Sequence, residues 1–138
     1  GKKDGLATED RLAGMKELVD ELKLVMTVKN GEFSELQARN ITMKYGEKYD
    51  VIVCASDLMA IGAMKALTEM DIFRPVCGFD GIILMGYVGK QMNTVHQDFA
   101  GISAAAMEEL QLLMDGKTGE RIDIPHYLDR IKYLDIIC

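Results

Sequence analysis

The fold class is decided by residues 49–63, whose sequence is YDVIVCASDLMAIGA. Residues 49–55 form a short apolar run rich in Val and Ile, which is typical of a strand buried on both faces. Ser56-Asp57 then supplies an N-cap signal, and residues 58–70 predict a helix. This helix contains small residues that allow close packing against a sheet or another helix: Ala60, Gly62, Ala63 and Ala66.

Outward from this unit, predicted strands and helices alternate along the chain. Apolar periodicity and capping residues predict helices over 11–23, 34–46 and 101–115. Strands are predicted over 24–28, which is a short apolar run, and over 74–79, 92–96, 122–128 and 131–137, while 81–91 predicts a loop or a short helix. Strands that alternate with helices indicate βαβ units, so the predicted class is α/β with a mostly parallel sheet.

Composition narrows the range of functions. The 138 residues are 49% hydrophobic and 28% charged, which fits one globular domain. Lys+Arg is 16 and Asp+Glu is 22, so the net charge of −6 argues against direct binding of nucleic-acid phosphates by this chain. No apolar run approaches the ~18 residues of a membrane span, and residues 1–5 show no signal-peptide pattern. We therefore expect no membrane partner.

Known catalytic and metal-binding patterns do not match. Gly116-Lys117-Thr118 resembles the end of a P-loop, but Gln111 occupies the position of the required first glycine. The three cysteines, Cys54, Cys77 and Cys138, match no metal template. We interpret Cys54 and Cys77 as buried free thiols rather than a disulfide, which favours a cytoplasmic location. We expect no enzyme activity, no catalytic residues, no metal and no cofactor.

Polar residues follow two of the predicted strands at their carboxyl ends, where ligands bind in open α/β sheets. Ser56-Asp57 ends one strand, and Asp80-Gly81 ends another. Two interpretations stay open for each. Ser56-Asp57 can be a helix cap, a ligand contact or both, and Asp80 can be a turn residue or an acceptor for paired ligand hydroxyls.

Six motifs in order resemble the lactose-repressor (LacI/GalR) family of transcription regulators. They are residues 11–15 (RLAGM), 32–34 (EFS), 53–67 (VCASDLMAIGAMKAL), 76–81 (VCGFDG), 92–99 (MNTVHQDF) and the segment 116–125. The resemblance implies a periplasmic-binding-protein-like type I fold with three α/β/α layers. It also implies that residues 1–138 are an effector-binding fragment, mainly the C-terminal subdomain, with 92–121 as the return segment toward the absent N-terminal subdomain.

The resemblance also implies a set of ligand-binding residues for a sugar or related polyol. Arg11 matches an arginine that binds ligand hydroxyls or carboxylates, and Asp80 matches an aspartate that takes paired hydroxyls. Ser56 stands where many members have Asn. The full implied set is Arg11, Phe33, Ser56, Asp80, Gln97 and Phe99.

The implied partners are a small-molecule effector, a second copy of the chain, and DNA through a helix-turn-helix domain that this sequence lacks. Ile61, Met64 and Tyr87 are candidates for the dimer face, with core packing as the alternative for Ile61 and Met64. We expect a piece of a longer regulator rather than a half-sized relative. The alternative functions are a sugar-binding protein of a transport or chemotaxis system and, more remotely, a small α/β enzyme.

Overall fold

The computed structural model describes residues 1–82 and 92–130. The helices are α1 (Leu6–Glu21), α2 (Glu35–Tyr45), α3 (Asp57–Glu69) and α4 (Phe99–Met114), with a short 3-10 helix at Gly46–Lys48. The strands are β1 (Ile52–Val53), β2 (Val76–Asp80), β3 (Asn93–Gln97) and β4 (His126–Asp129). The four strands lie in one sheet in the order β1-β2-β3-β4.

The sheet is mostly parallel, as the alternation of strands and helices predicts. β1 pairs parallel to β2, and β2 pairs parallel to β3, whereas β4 runs antiparallel to β3. The register aligns Cys77 with Asn93 and Asp80 with His96. This alignment brings the carboxyl ends of β2 and β3 to the same edge of the sheet, so Asp80 and Gln97 end neighbouring strands.

Side-chain caps begin three of the helices. The Ser34 hydroxyl accepts a hydrogen bond from the Gln37 amide at 3.3 Å, and the Ser56 hydroxyl accepts one from the Met59 amide at 3.3 Å. The Asp98 carboxylate accepts one from the Gly101 amide at 2.9 Å. These bonds satisfy amides that the first turn of a helix leaves unpaired. The predicted caps at Ser34 and Ser56 are therefore confirmed.

The core lies where α2 and α3 pack on each other and α3 packs on β2. Ala60 and Ala63 of α3 are completely buried within this cluster. A Cβ atom added to Gly62 would lie 2.1 Å from the carbonyl oxygen of Glu35 in α2. The small residues of α3 thus allow the two helix backbones to approach closely, as the sequence predicts.

Ile61 and Met64, predicted as candidates for a dimer face, lie in this core. Their side chains are 3% and 8% exposed and belong to the central apolar cluster. Such side chains have almost no surface to offer a partner, so core packing replaces the dimer-face interpretation for these two residues. Tyr87, the third candidate, lies outside the described residues.

Two predicted strands differ from the structure. Residues 24–28 form neither helix nor strand, and Val25 is 91% exposed. Within the described residues this segment has no place in the sheet, and a strand needs a neighbouring backbone to bond. The strand predicted over 122–128 begins only at His126, directly after Pro125, which has no amide to donate.

Helix bounds also differ from the predictions. α1 begins at Leu6 rather than residue 11, and α4 begins at Phe99 rather than residue 101. Most of the segment 81–91 and the strand predicted over 131–137 lie outside the described residues. No helix of the described part has the length and apolar character to cross a membrane.

Candidate functional site

Three predicted ligand residues meet at the carboxyl edge of the sheet. Arg11 of α1 donates from Nη2 to Oδ1 of Asp80 at 3.2 Å, and Gln97 donates from Nε2 to the same oxygen at 2.8 Å. Arg11 also donates from Nη1 to the carbonyl oxygen of Ala55, which follows β1. One side chain from α1 therefore contacts the ends of β1 and β2, and Asp80 links it to the end of β3. We call Arg11, Asp80 and Gln97 the polar cluster.

The backbone around Asp80 has an unusual conformation. Asp80 has a φ of 119° and Gly81 a φ of 70°, both in the region that favours glycine. A Cβ atom added to Gly81 would also lie 2.4 Å from the His96 ring, so glycine is required there on two counts. Strained backbone of this kind persists only where the surrounding structure holds it, and it is often found at functional sites.

The charges of the polar cluster are partly shielded from water. The Arg11 and Asp80 side chains are 21% and 22% exposed. Burial raises the pKa of the Asp80 carboxyl above its ordinary value of 3.8, and the opposing effects of the Arg11 charge and the Gln97 amide are smaller. A half-buried carboxylate with a specific cationic partner at a sheet edge is a common arrangement in binding sites.

Phe79 is a member of the site that sequence reasoning missed. The Arg11 guanidinium carbon lies 3.7 Å from the centre of the Phe79 ring, within the range of a cation–π contact. Neighbouring residues of a strand point to opposite faces, so strand alternation does not predict that Phe79 and Asp80 contact one partner. Arg11 contacts both because it lies across the end of the strand.

The remaining predicted ligand residues are not members of the polar cluster. Ser56 is buried, and its hydroxyl oxygen caps α3. Phe33 packs against the core cluster from a left-handed turn, with a φ of 53°. Gly31, two residues before Phe33, lies against Met59 in the first turn of α3, so the turn at Phe33 is at the same end of α3 as Ser56. Phe99 begins α4 and is 49% exposed. The ligand roles of these three residues stay predictions.

A small cleft adjoins the polar cluster. It has a volume of about 120 Å³, and Phe79, Gln97 and residues 124–126 are among the groups that line it. Ligand pockets for drug-sized molecules are roughly 300–1,000 Å³, so this wall alone does not enclose a ligand. A larger open groove of about 600 Å³ between α4 and residues 120–126 includes none of the predicted ligand residues.

The described residues show no arrangement suited to a metal. Among residues 1–82 and 92–130, no group of three or more His, Cys, Asp or Glu side chains is placed to hold an ion. Cys54 is buried and Cys77 partly buried, and both are free thiols, as predicted. Burial raises the pKa of Cys54 to about 12, so this thiol does not ionise near neutral pH.

Comparison with known proteins concerns first the fold and then the sequence. The structure superposes on a dimeric Lac repressor with an 11-residue C-terminal deletion with a TM-score of 0.85 and 22% identity, covering 94% of this chain and 51% of that one. A LacI-family regulator from Arthrobacter sp. FB24, in complex with lactose, gives a TM-score of 0.73 and 26% identity over 83% of this chain and 48% of that one. The fold is that of the periplasmic-binding-protein-like domain of such regulators.

The sequence comparison agrees with the structural comparison. The chain is 33% identical over 113 residues to the ribose operon repressor of Halalkalibacterium halodurans, a match that covers 77% of this chain and 34% of the repressor. No family model matches the chain. By sequence and by fold, the chain is a relative of the LacI-family transcriptional regulators, as the six motifs implied. These relatives are transcriptional regulators and not enzymes. The chain spans about a third of the length of the ribose operon repressor.

Proposed function

We propose that this chain is the effector-binding part of a LacI-type transcriptional regulator. It binds a sugar or related polyol at the polar cluster. The observation that carries the proposal is the meeting of Arg11, Asp80 and Gln97 at the carboxyl edge of a parallel sheet, where α/β folds bind ligands. Relatives named for ribose and complexed with lactose support the ligand class.

The chemistry of the cluster suits neighbouring hydroxyl groups. Arg11 and Gln97 both donate to Oδ1 of Asp80, and among the described residues no side chain or amide bonds Oδ2. A carboxylate accepts several hydrogen bonds, so Oδ2 can take a hydroxyl from a ligand while Oδ1 stays fixed. The guanidinium of Arg11 has five N–H donors, and its described bonds use Nη1 and Nη2, so further donors remain for a ligand oxygen.

The rest of the regulator completes the site. Residues 92–121 form the return segment toward an N-terminal subdomain that supplies the second wall of the cleft, and Ser56, Phe33 and Phe99 line the first. Ligand binding shifts the equilibrium between two arrangements of the subdomains and so changes the DNA affinity of a separate helix-turn-helix domain. The protein acts as a homodimer, with Tyr87 at the dimer face. It works in the cytoplasm, since a transcriptional regulator acts on the DNA there.

Calorimetry of Asp80→Ala tests the proposal. A thermal-shift screen of sugars, including ribose and lactose, first identifies a binder, because a ligand that binds only the folded state raises the melting temperature. The screen uses this chain and any longer protein that contains it, and the chain alone binds weakly because its cleft is small. A hydrogen bond to a charged group contributes about 1.5–3 kcal/mol, so Asp80→Ala weakens binding by roughly 10- to 100-fold.

Asp123→Ala is the matched control. Asp123 is an exposed aspartate that pairs with Arg121 and does not line the cleft beside the polar cluster. This variant keeps the affinity of the wild type. Equal affinities for the wild type and Asp80→Ala would refute the site, and turnover of any sugar in the screen would refute the sensor function.

A further inference from the structure

Asp57 is a fully buried carboxylate near the polar cluster. Its side chain, at the first residue of α3, is 0% exposed. Oδ2 accepts a hydrogen bond from the Ile82 amide at 2.9 Å, and Oδ1 accepts one from the Thr94 hydroxyl at 2.6 Å. A buried carboxylate is costly unless its oxygens are bonded, and here both oxygens have partners.

These contacts surround Asp80 along the chain. The Ile82 amide lies two residues after Asp80. Two residues before it, a Cβ atom added to Gly78 would lie 2.2 Å from Oδ1 of Asp57, so β2 passes directly against this carboxylate. Thr94 lies on β3, the strand that ends in Gln97. Asp57 therefore contacts the chain on both sides of Asp80. It also contacts β3, the strand whose last residue, Gln97, donates a hydrogen bond to Asp80.

The turn needs such a contact. Asp80 and Gly81 both have positive φ values, and an aspartate in this region is strained. A strained turn keeps its shape only when the surrounding structure holds it. The Ile82 amide is the first amide after the two strained residues, and the Asp57 carboxylate accepts its hydrogen bond.

We infer that Asp57 is a positioning residue of the ligand site, holding residues 80–82 so that Asp80 presents its Oδ2 oxygen to the effector. The inference rests on the proposed function for its consequence in binding. Since Asp57 is buried beneath the turn, it acts through Asp80 and makes no contact with the effector itself.

Hydrogen exchange of the Ile82 amide tests the positioning role without any ligand. The variants are Asp57→Asn, which replaces one acceptor oxygen with an amide, and Thr94→Val, which removes the hydroxyl donor at nearly constant volume. Asp57→Asn increases exchange of the Ile82 amide about tenfold or more relative to the amide of Leu67 in the buried part of α3. Thr94→Val produces a smaller increase in the same amide. Thr94→Ser, which keeps the hydroxyl, restores the exchange rate of the wild type.

Glu69→Gln is the control on the same helix. Glu69 pairs with Arg39 on the surface, so its loss leaves the exchange of Ile82 unchanged. If Asp57→Asn does not fold, the comparison of Thr94→Val with Thr94→Ser decides the question. Unchanged exchange of Ile82 in the folded variants, or an equal increase at Ile82 and Leu67, would overturn the positioning role.

Affinity for a sugar found in the thermal-shift screen completes the test. Thr94→Val weakens binding several-fold, and Thr94→Ser binds as the wild type does. A wild type that binds no sugar refutes the proposed function, whereas a Thr94→Val variant with unchanged affinity and unchanged Ile82 exchange refutes the positioning role. The two failures are thus distinguished.

Discussion

Replacing Gly62 with alanine directly perturbs the packing of α2 on α3. The added Cβ atom would lie 2.1 Å from the carbonyl oxygen of Glu35, 2.9 Å from its carbonyl carbon and 3.1 Å from the amide nitrogen of Arg39. All three are backbone atoms of α2, whose first residue is Glu35. No side-chain rotation relieves these contacts, so the two helices must move apart.

The expected loss of stability follows from two opposing effects. Overpacking a core costs about 1–3 kcal/mol, and the upper end applies here because the obstacle is a helix backbone. Alanine favours a helix over glycine by about 1 kcal/mol, which offsets part of the cost. We expect Gly62→Ala to lower the free energy of unfolding by about 2 kcal/mol and the melting temperature by roughly 8 °C.

Gly14→Ala separates the packing effect from helix propensity. Gly14 lies inside α1, and nothing lies within 4 Å of a Cβ atom placed there. This variant should gain about 0.5–1 kcal/mol from propensity alone. Urea denaturation followed by circular dichroism measures both variants. A Gly62→Ala protein as stable as the wild type, or stabilised like Gly14→Ala, would refute the close approach of α2 and α3.

Two further predictions concern ionisable groups. Because burial raises the pKa of Asp80, the folded chain holds this proton more tightly than the unfolded chain, so the contribution of Asp80 to stability is fully present below its ordinary pKa of 3.8 and is lost as pH rises through the raised value. Urea titrations from pH about 3 to about 6 should show the wild type losing stability relative to Asp80→Asn as pH rises; a relative gain would contradict the assigned direction. Burial also raises the pKa of Cys54 to about 12, so iodoacetamide at pH about 8 should leave Cys54 unmodified in the folded chain and alkylate it in urea, as peptide mass spectrometry would show. Equal rates in both conditions would refute its burial.

Local signals predicted the features that depend on neighbours in sequence. The Ser34 and Ser56 caps are bonds from a hydroxyl to an amide three residues later, so the sequence contains both partners. The strands at Val76–Asp80 and Asn93–Gln97 lie close to their predicted ranges of 74–79 and 92–96. The segment 24–28 is also a short apolar run, but no strand of residues 1–82 or 92–130 pairs with it, and apolar content alone does not supply a partner.

The apolar pattern of α3 also did not decide whether its side chains face the core or a partner protein. Ile61 and Met64 lie on an apolar helix, and the same pattern fits a core or a partner surface. Only the position of α2 against α3 shows that both side chains are in the core. Likewise the sequence identified Asp57 as part of a capping signal, while its bonds to Ile82 and Thr94 depend on where β2 and β3 pass.

The sequence by itself determined the class of fold and the caps of two helices, and the resemblance of its six motifs to the LacI/GalR family implied Arg11, Asp80 and Gln97 as candidate ligand residues. These depend on residue type, spacing and motif order, all of which are local or can be compared directly. Tertiary structure alone decided that Arg11 and Gln97 donate to the same carboxylate oxygen of Asp80. It also decided that Phe79 lies under Arg11 and that Asp57 accepts a hydrogen bond from the Ile82 amide. Contacts between residues dozens of positions apart exist only once parallel strands bring their carboxyl ends to one edge, and that is a property of the packed chain.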